Sequence, residues 1–430
     1  MPLPSPSIIP AVVSQHVEEA ASLRNLRSVL VRAPHVKLLQ LGRLDERIAA
    51  HLDGVSVAGL AGAEMVQATL EQPGVGQLFV AAAGAIERRD SVQLSQLLAL
   101  VGVVDDAECA LASAVGFVAA DGLRGLTPQW LGSKTAVEQW LGVTACALHG
   151  VDPGQALQQA ASLSDTRVRV RALRTAGDLG RIDMLQTCLR HLSDSDATVR
   201  HAAARSALLL GDRGAAPRAL EDMAFASAVP AALSRAALQL LVLATDPPSA
   251  RALVREMLNG PLDRRQPLRV AIEATGWSGE VCAVPWLIEQ MEDPVHARVA
   301  GEAFSLITGA DLTLLDLDRK PPDEPVAGPS ENPEDDEVAL DADESLPWPD
   351  PARVRAWWAL QTPPAGAGRL LLGAPATAET CERALREAAQ RQRAAAAILR
   401  LLLEPGRVLF NIAAPAWRQQ HALGLPVRVS

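Results

Sequence analysis

Two stretches in the middle of the chain decide the predicted fold: Asp165-Thr-Arg-Val-Arg-Val-Arg-Ala-Leu-Arg-Thr-Ala-Gly-Asp-Leu-Gly180 and Asp196-Ala-Thr-Val-Arg-His-Ala-Ala-Ala-Arg-Ser-Ala-Leu-Leu-Leu-Gly211. They align without a gap at an offset of 31 residues. Each begins with an aspartate where a helix needs an N-cap and ends with a glycine where a left-handed residue would stop the helix. Between these ends, apolar residues recur at the spacing of one helix face: Val168, Ala172, Ala176 and Leu179.

A second apolar face lies between the two copies, so each repeat predicts a pair of antiparallel helices. Weaker copies of the second helix follow along the chain. Their aligned arginines recur roughly every thirty residues, an interval within the range of repeat proteins: Arg169, Arg200, Arg235, Arg269 and Arg298. Helix pairs repeated at this interval are typical of α-solenoids. The pattern therefore predicts an all-α chain in which antiparallel helix pairs stack into a solenoid.

The repeated segments resemble the HEAT-repeat proteins, in the short-repeat form related to bilin-lyase subunits. The resemblance is carried by the motif Asp-x-x-Val-Arg-x-x-Ala and by the stretch from Pro285 to Gly309. It covers roughly residues 150–312 and implies a HEAT-like α-solenoid in which each unit contacts only its neighbours. It also implies a structural role, bonding the turns together, for the repeated acidic and basic residues: Asp165, Arg169, Asp196, Arg200, Arg235, Arg269 and Arg298.

The whole chain resembles an uncharacterised bacterial family of HEAT-like proteins, some of which are encoded near type VI secretion genes. Three stretches carry this likeness: Leu44–Gly54, Gln390–Arg393 and Pro415–Gln419. The resemblance implies no known chemistry. It suggests a link to a bacterial secretion system.

Composition divides the chain into five predicted segments. Asp318 to Pro351 holds twelve acidic and two basic residues, which accounts for the whole formal net charge of −10. A segment this acidic, with eight prolines, cannot bury enough apolar surface to offset its chain entropy. We predict a disordered N-terminus (1–13), degenerate helical repeats with an N-terminal cap (14–150), HEAT-like repeats (151–315), an acidic proline-rich linker (316–351) and a helical C-terminal module (352–430).

The sequence offers no pattern typical of an enzyme, a metal site or a cofactor site. It contains no phosphate-binding glycine loop, no nucleophile elbow and no zinc-protease motif. Cys188 and His191, with His201 further on, lack the fourth ligand of a structural zinc site. We therefore predict no enzyme activity, no metal and no cofactor.

The predicted setting follows from charges, cysteines and apolar runs. The chain is neutral outside the acidic segment, which argues against a nucleic-acid partner. No apolar run is long enough to insert into a membrane. The first twenty residues contain no Lys or Arg, whereas a secretion signal needs basic residues before its apolar run. Five isolated cysteines are typical of a reducing compartment, so we predict a cytoplasmic protein.

The leading hypothesis is a non-catalytic protein-binding scaffold or adaptor. Its solenoid surface would present second-helix arginines to a protein partner: Arg167, Arg171, Arg174 and Arg205. Trp357 and Trp358 are adjacent on a helix, about 100° apart. One could lie in an interface, or both could pack internally.

Two alternatives stay open. The first is an immunity or inhibitor protein that neutralises a basic toxic effector such as a nuclease, because the acidic block Glu331–Glu344 could mimic a polyanion. The second, minor alternative is a bilin-lyase-like enzyme, which rests on the family resemblance alone.

Overall fold

The computed structural model describes residues 8–426, except 262–265, 323–340, 365 and 367. The described residues are all-α, with two short antiparallel ribbons as their extended structure. They form two compact units. The first unit combines the chain up to Thr187 with the segment from Val408 onward, and the second unit runs from Cys188 to Arg407.

Most of the first unit is built from helices of ten to twenty residues joined by short turns. Its described α-helices are α1 (Pro10–Leu30), α2 (Leu38–Val57), α3 (Gly59–Thr69), α4 (Val75–Arg88), α5 (Ser91–Ala99), α6 (Ala107–Phe117), α7 (Leu126–Leu131), α8 (Ala136–His149), α9 (Gln155–Ala161), α10 (Thr166–Asp178) and α22 (Ala416–Ala422). Helix α1 begins at Pro10, inside the segment predicted as a disordered N-terminus, and residues 1–7 lie outside the described part. Helix α11 (Leu185–Arg190) leads into the second unit.

The second unit holds the later repeats and a more varied C-terminal part. Its described α-helices are α12 (Ala197–Leu209), α13 (Ala215–Phe225), α14 (Ala231–Ala244), α15 (Pro247–Asn259), α16 (Leu268–Ser278), α17 (Val284–Gln290), α18 (Ala297–Thr308), α19 (Pro351–Ala359), α20 (Ala378–Glu387) and α21 (Gln390–Leu403). Strands β1 (Asp318–Arg319) and β2 (Trp348–Pro349) pair antiparallel, as do β3 (Leu370–Leu371) and β4 (Ala374–Pro375). Of the predicted acidic linker, residues 323–340 lie outside the described part, and its two ends meet in the β1–β2 ribbon.

Helices in each unit stack in an alternating order. In the first unit α4, α6, α8 and α10 pack side by side; α5 packs on α4, α7 on α8, and α9 on both α8 and α10. In the second unit α12, α14, α16 and α18 pack in the same way, with α13, α15 and α17 alongside. Neighbour-only packing of helix pairs is the arrangement that repeat proteins use to extend a core.

The two aligned segments begin as helices for the predicted reason. The carboxylate of Asp165 accepts a hydrogen bond from the backbone N–H of Val168 at 3.0 Å. The carboxylate of Asp196 accepts one from the N–H of Val199 at 3.3 Å. Each aspartate thereby satisfies a backbone donor that has no partner inside the helix.

The same segments end at their glycines. Gly180 and Gly211 adopt φ values of +66° and +106°, a region that L residues with a Cβ avoid. After Gly180 the N–H of Arg181 bonds back to the carbonyl of Ala176 at 2.9 Å, which closes the last turn. The spacing of Asp and Gly therefore sets both ends of α10 and α12.

Small residues let neighbouring helices approach closely. The repeat alanines at 172, 176, 203 and 207 are fully buried. A Cβ added to Gly276 on α16 would lie 2.9 Å from the Cα of Ala303 on α18, closer than side chains normally pack. The α16–α18 contact therefore depends on glycine at this position.

Arg369, from the C-terminal part of the chain, caps the ends of two helices that are distant from it in sequence. In the second unit Arg369 donates to the carbonyls of Val242, Leu243 and Thr245 at the end of α14, at 2.6–2.9 Å. It also donates to the carbonyl of Trp277 near the end of α16. Burial lowers the pKa of Arg369 to about 10. One side chain thus satisfies carbonyls that have no partner inside either helix.

Within the first unit, the ion pair of Arg27 and Asp45 holds the C-terminal segment that precedes α22. Asp45 on α2 is fully buried, and its carboxylate accepts from Arg27 Nε at 2.5 Å and from the backbone N–H of Ala416 at 2.7 Å. Arg27 donates as well to the carbonyls of Ala413 and Ala414 at 3.1 Å. The segment before α22 is therefore fastened to α1 and α2 by a charged, hydrogen-bonded contact.

Candidate functional site

The aligned arginines serve two different purposes in the structure. In the early repeats they bond the turn beside them: Arg169 Nη1 donates to the carbonyl of Leu163 at 3.1 Å. Arg200 Nη1 donates to the carbonyls of Asp194 and Ser195 at 2.7 and 2.9 Å. These contacts are local in sequence and hold the turn before each second helix.

The later arginines reach groups that are distant in sequence. Arg235 on α14, Arg269 on α16 and Arg298 on α18 lie on successive side-by-side helices, and Arg391 joins them from the start of α21. We call these four residues the arginine cluster. Their partners include two glutamates of the same helices, Glu273 and Glu302, and a short stretch of the predicted linker.

That stretch is Asp341-Ala342-Asp343, which we call the acidic turn. It holds its own shape, because Asp341 Oδ1 accepts the backbone N–H of Asp343 at 2.9 Å. The carbonyls of Asp341 and Asp343 accept the N–H groups of Glu344 and Leu346 at 3.1 and 3.0 Å. Hydrogen bonds of this kind are typical of a turn begun by aspartate.

Arg269 donates a hydrogen bond to each carboxylate oxygen of Asp343. Nη1 and Nη2 of the guanidinium lie 2.7 and 2.6 Å from Oδ2 and Oδ1. The residue Asp343 is only 3% exposed, so this bidentate pair is shielded from water. Two parallel charge-assisted hydrogen bonds of this form are among the strongest that proteins make.

Two further arginines complete the recognition of the turn. Arg298 Nη1 lies 2.6 Å from Asp341 Oδ2 and donates to the carbonyl of Asp343 at 3.1 Å. Arg391 Nη2 donates to the carbonyl of Ala342 at 2.6 Å. The turn is thus held through two carboxylates and two carbonyls, while the side chain of Ala342 is exposed.

Two glutamates on the helices pair with three of these arginines. Glu273 lies 2.6 Å from Arg235 Nε and 3.6 Å from Arg269 Nε, and Glu302 lies 2.8 Å from Arg391 Nη1. Aromatic faces add to this: Arg298 lies over the Trp348 ring at 4.6 Å from its centroid. Hydrogen bonding to Asp343 raises the pKa of Arg269, so its positive charge is secure.

Among the described residues, the ion pairs of this region join the four arginines to four carboxylates. Four arginines face two glutamates from the helices, and the two aspartates of the turn supply the remaining negative charges. The side chains of Arg298 and Asp343 are only 10% and 4% exposed, and an unpaired buried charge is costly, so this part of the cluster favours an occupant with carboxylates.

The arginines predicted to bind a partner are spread over two helices. Arg167, Arg171 and Arg174 lie on α10 in the first unit, and Arg205 lies on α12 in the second. Arg167 Nε pairs with Glu108 at 2.8 Å, and Arg171 Nη2 lies 3.5 Å from the carbonyl of Thr144. Arg174 is exposed, and Arg205 is half-buried.

The two adjacent tryptophans both pack on one phenylalanine. The ring centroids of Trp357 and Trp358 lie 6.0 and 6.2 Å from that of Phe304, each in an edge-to-face arrangement. Phe304 is fully buried in a cluster that the tryptophans partly cover. Of the two arrangements considered for this pair, the structure has internal packing, with part of each ring still accessible.

Residues 331–340 of the acidic block Glu331–Glu344 lie outside the described part of the chain, and residues 341–344 lie within it. Of its last four residues, Asp341 and Asp343 face arginines of the same chain, and Glu344 is exposed. A polyanion mimic needs acidic side chains that face a partner. The described end of the block therefore gives the inhibitor alternative no support.

Sequence reasoning named Arg235, Arg269 and Arg298 as structural repeat residues, and it missed the other residues of this site. Asp341 and Asp343 were hidden among the other acids of the predicted linker, and Arg391 lay outside the repeats. One signal was present: Leu346 and Trp348 follow directly after the acids, where apolar residues return and the chain can rejoin a core.

Thiols and metal-binding side chains form no second centre among the described residues. No group of three or more His, Cys, Asp or Glu there could hold a metal ion. Burial raises the pKa of Cys188 to about 12, so its thiol is protonated at neutral pH. No helix in the described ranges is long and apolar enough to cross a membrane.

The chain matches no protein-family model, no curated protein and no solved structure. The resemblance to HEAT-repeat proteins therefore stays a prediction from the sequence, and the candidate site rests on its own geometry.

Proposed function

We propose that this protein is a non-catalytic binding scaffold, built as an α-solenoid, that recognises an acidic segment of a protein partner on the arginine cluster. The observation that carries the proposal is the bidentate ion pair of Arg269 with Asp343. Arg298 pairs with Asp341 and Arg391 donates to the carbonyl of Ala342 in the same turn. Arginine clusters that read carboxylates and peptide carbonyls together are a common means of peptide recognition.

The alternating helix stacks support the same proposal. Stacked helix pairs offer an extended face, and arginines from successive helices then lie in a row along it. Charge complementarity on such a face sets specificity and association rate. The exposed Arg174 on α10 is a separate candidate for partner binding in the first unit.

The setting of this function is also a proposal. All five cysteines are free thiols, as expected for a reducing compartment, and we propose a cytoplasmic location. A role beside a bacterial secretion system rests on the sequence resemblance alone.

Affinity purification with a matched pair of variants tests the function. Tagged full-length chain is compared with Arg269→Gln/Arg298→Gln and with Arg124→Gln/Arg407→Gln, which removes the same charge from exposed surface ion pairs. We expect wild type and the control to retain the same partner proteins at low salt, and the first variant to lose them. Retained partners should elute as salt increases, because screening weakens charge recognition.

Two results would count against the scaffold. One is the absence of any retained protein at low salt with folded wild-type chain. The other is equal recovery by the cluster variant, provided that circular dichroism shows it folded.

A further inference from the structure

We infer that the partner presents an acidic turn of the form Asp-x-Asp, and that Asp341-Ala-Asp343 is a built-in occupant which competes with it for the arginine cluster. This inference rests on the proposed function and names the chemistry of the partner. It starts from the fact that the helices hold the arginines while a separate stretch of chain supplies the carboxylates.

The contacts define what an occupant must provide. Two carboxylates, spaced by one residue, reach Arg298 and Arg269, and the backbone carbonyls between and after them reach Arg391 and Arg298. The side chain of Ala342, between the two acids, is exposed to solvent. The middle position therefore accepts many residues, whereas both acids are required.

Each arginine of the cluster has a contact apart from the turn, and for Arg298 it is the ring of Trp348. Glu273 contacts Arg235 and Arg269, and Glu302 contacts Arg391, all from the stacked helices. An arginine held by its own glutamate loses little freedom when a carboxylate arrives, so the site is preorganised. The occupant adds the two carboxylates that Arg269 and Arg298 contact.

The turn is only partly buried: the side chain of Asp343 is nearly enclosed, at 4% exposed, whereas several groups around it are open to solvent. The side chains of Asp341, Arg269 and Arg391 are 18%, 33% and 29% exposed. The next fixed point along the chain is the β1–β2 ribbon, where Trp348 pairs with Arg319 and Pro349 is buried. Displacing the turn therefore costs its polar contacts and spares the apolar packing of the ribbon.

Competition within one chain is strong because the occupant is tethered. A tethered group acts at an effective concentration of about millimolar. A free peptide with the same contacts therefore binds the intact protein only weakly, and removing the built-in carboxylates should expose its full affinity. This is the measurable signature of a displaceable occupant.

The test measures fluorescence anisotropy of a labelled peptide, acetyl-Asp-Ala-Asp-Glu-Ser, with full-length protein at low salt. We expect Asp341→Asn/Asp343→Asn, which we call the open variant, to bind the peptide at least tenfold more tightly than wild type. The matched control is Glu344→Gln/Glu387→Gln, which removes two exposed acids and should bind like wild type. A peptide with Asn in place of both Asp should bind none of the proteins, and adding Arg269→Gln to the open variant should abolish binding.

The inference is overturned if the folded open variant binds the peptide no better than the control. If that variant does not fold, the single substitution Asp341→Asn is used in its place. It leaves the Arg269–Asp343 pair intact, so the tethered turn still competes in part, and we expect the affinity for the peptide to rise by only about threefold. No gain there also overturns the inference.

The outcome is separable from that of the proposed function. Peptide binding to the open variant, with no partner retained from lysate, would support the acidic-turn recognition and reject the scaffold. Partners retained equally by wild type, by the open variant and by its Arg269→Gln derivative would support a scaffold that binds elsewhere and reject this inference.

Discussion

Early and late repeats place an arginine at the same point of the second helix and use it differently. Arg200 bonds the carbonyls of the turn directly before its helix, whereas Arg269 reaches a carboxylate 74 residues away. The first use is complete within one repeat. The second needs a distant piece of chain, and a long side chain with five donors can serve either purpose. The same repeat position is therefore structural in one region and a recognition site in the other.

The comparison predicts its largest effect at Arg269. Replacing it with alanine leaves the carboxylate of Asp343 buried without its bidentate partner, and breaking such a pair costs about 3 kcal/mol. We expect the free energy of unfolding of the second unit to fall by that amount in urea denaturation followed by circular dichroism. Arg355→Ala, at an exposed ion pair with Glu292 in the same unit, should change it by less than about 0.5 kcal/mol. Equal effects of the two would remove the distinction.

A smaller effect is expected at the N-cap of an early repeat. Asp196→Ala removes the acceptor for the first N–H groups of α12 and should lower the free energy of unfolding by about 1 kcal/mol. Asp196→Asn keeps a capping oxygen and should restore most of the loss. If both variants lost the same amount, the carboxylate would be acting through its charge and not as a cap.

Arg200→Ala should cost about 1 kcal/mol or less, because its two acceptors are carbonyls at a partly exposed turn. It should also leave binding of the Asp-Ala-Asp peptide by the open variant unchanged. A large loss of peptide binding on this substitution would show that the early and late arginines act together, contrary to the comparison.

The smallest expected effect concerns pH. Burial raises the pKa of Glu302 above its ordinary value. The positive charge of Arg391 acts in the opposite direction and lowers it, whereas the negative charges of Asp343 and Glu273 raise it further. A carboxyl with a higher pKa in the folded state contributes most to stability below its unfolded pKa, and this contribution is lost as pH rises toward the folded pKa. Wild type should therefore lose stability relative to Glu302→Gln as pH rises from about 4 through that window. A constant difference across pH in thermal melts would contradict this assignment.

Local patterns explain how much of the fold could be predicted. The caps Asp165 and Asp196, the terminal glycines and the buried alanines act within one helix or one turn, so their spacing in the sequence already contains their geometry. The all-α class followed from that spacing, and the structure confirms it. The solenoid and its family remain predictions from the same repeats.

The candidate site could not be read in this way, because its parts are far apart in sequence. Asp341 and Asp343 look like any other acids of a solvated segment until Arg269 and Arg298 are seen opposite them. In the same manner, nothing in the sequence shows that Arg369 caps two helices or that Asp45 meets the backbone of Ala416. A charged side chain has no periodic signature, and its partner is set by which helices stack beside it.

By itself, then, the sequence determined where helices begin, end and turn an apolar face inward, since hydrogen bonds and burial at those points involve near neighbours. Only the tertiary structure decided which arginines meet which carboxylates. Charges of opposite sign attract wherever the chain brings them together, and their identities alone do not say where that is.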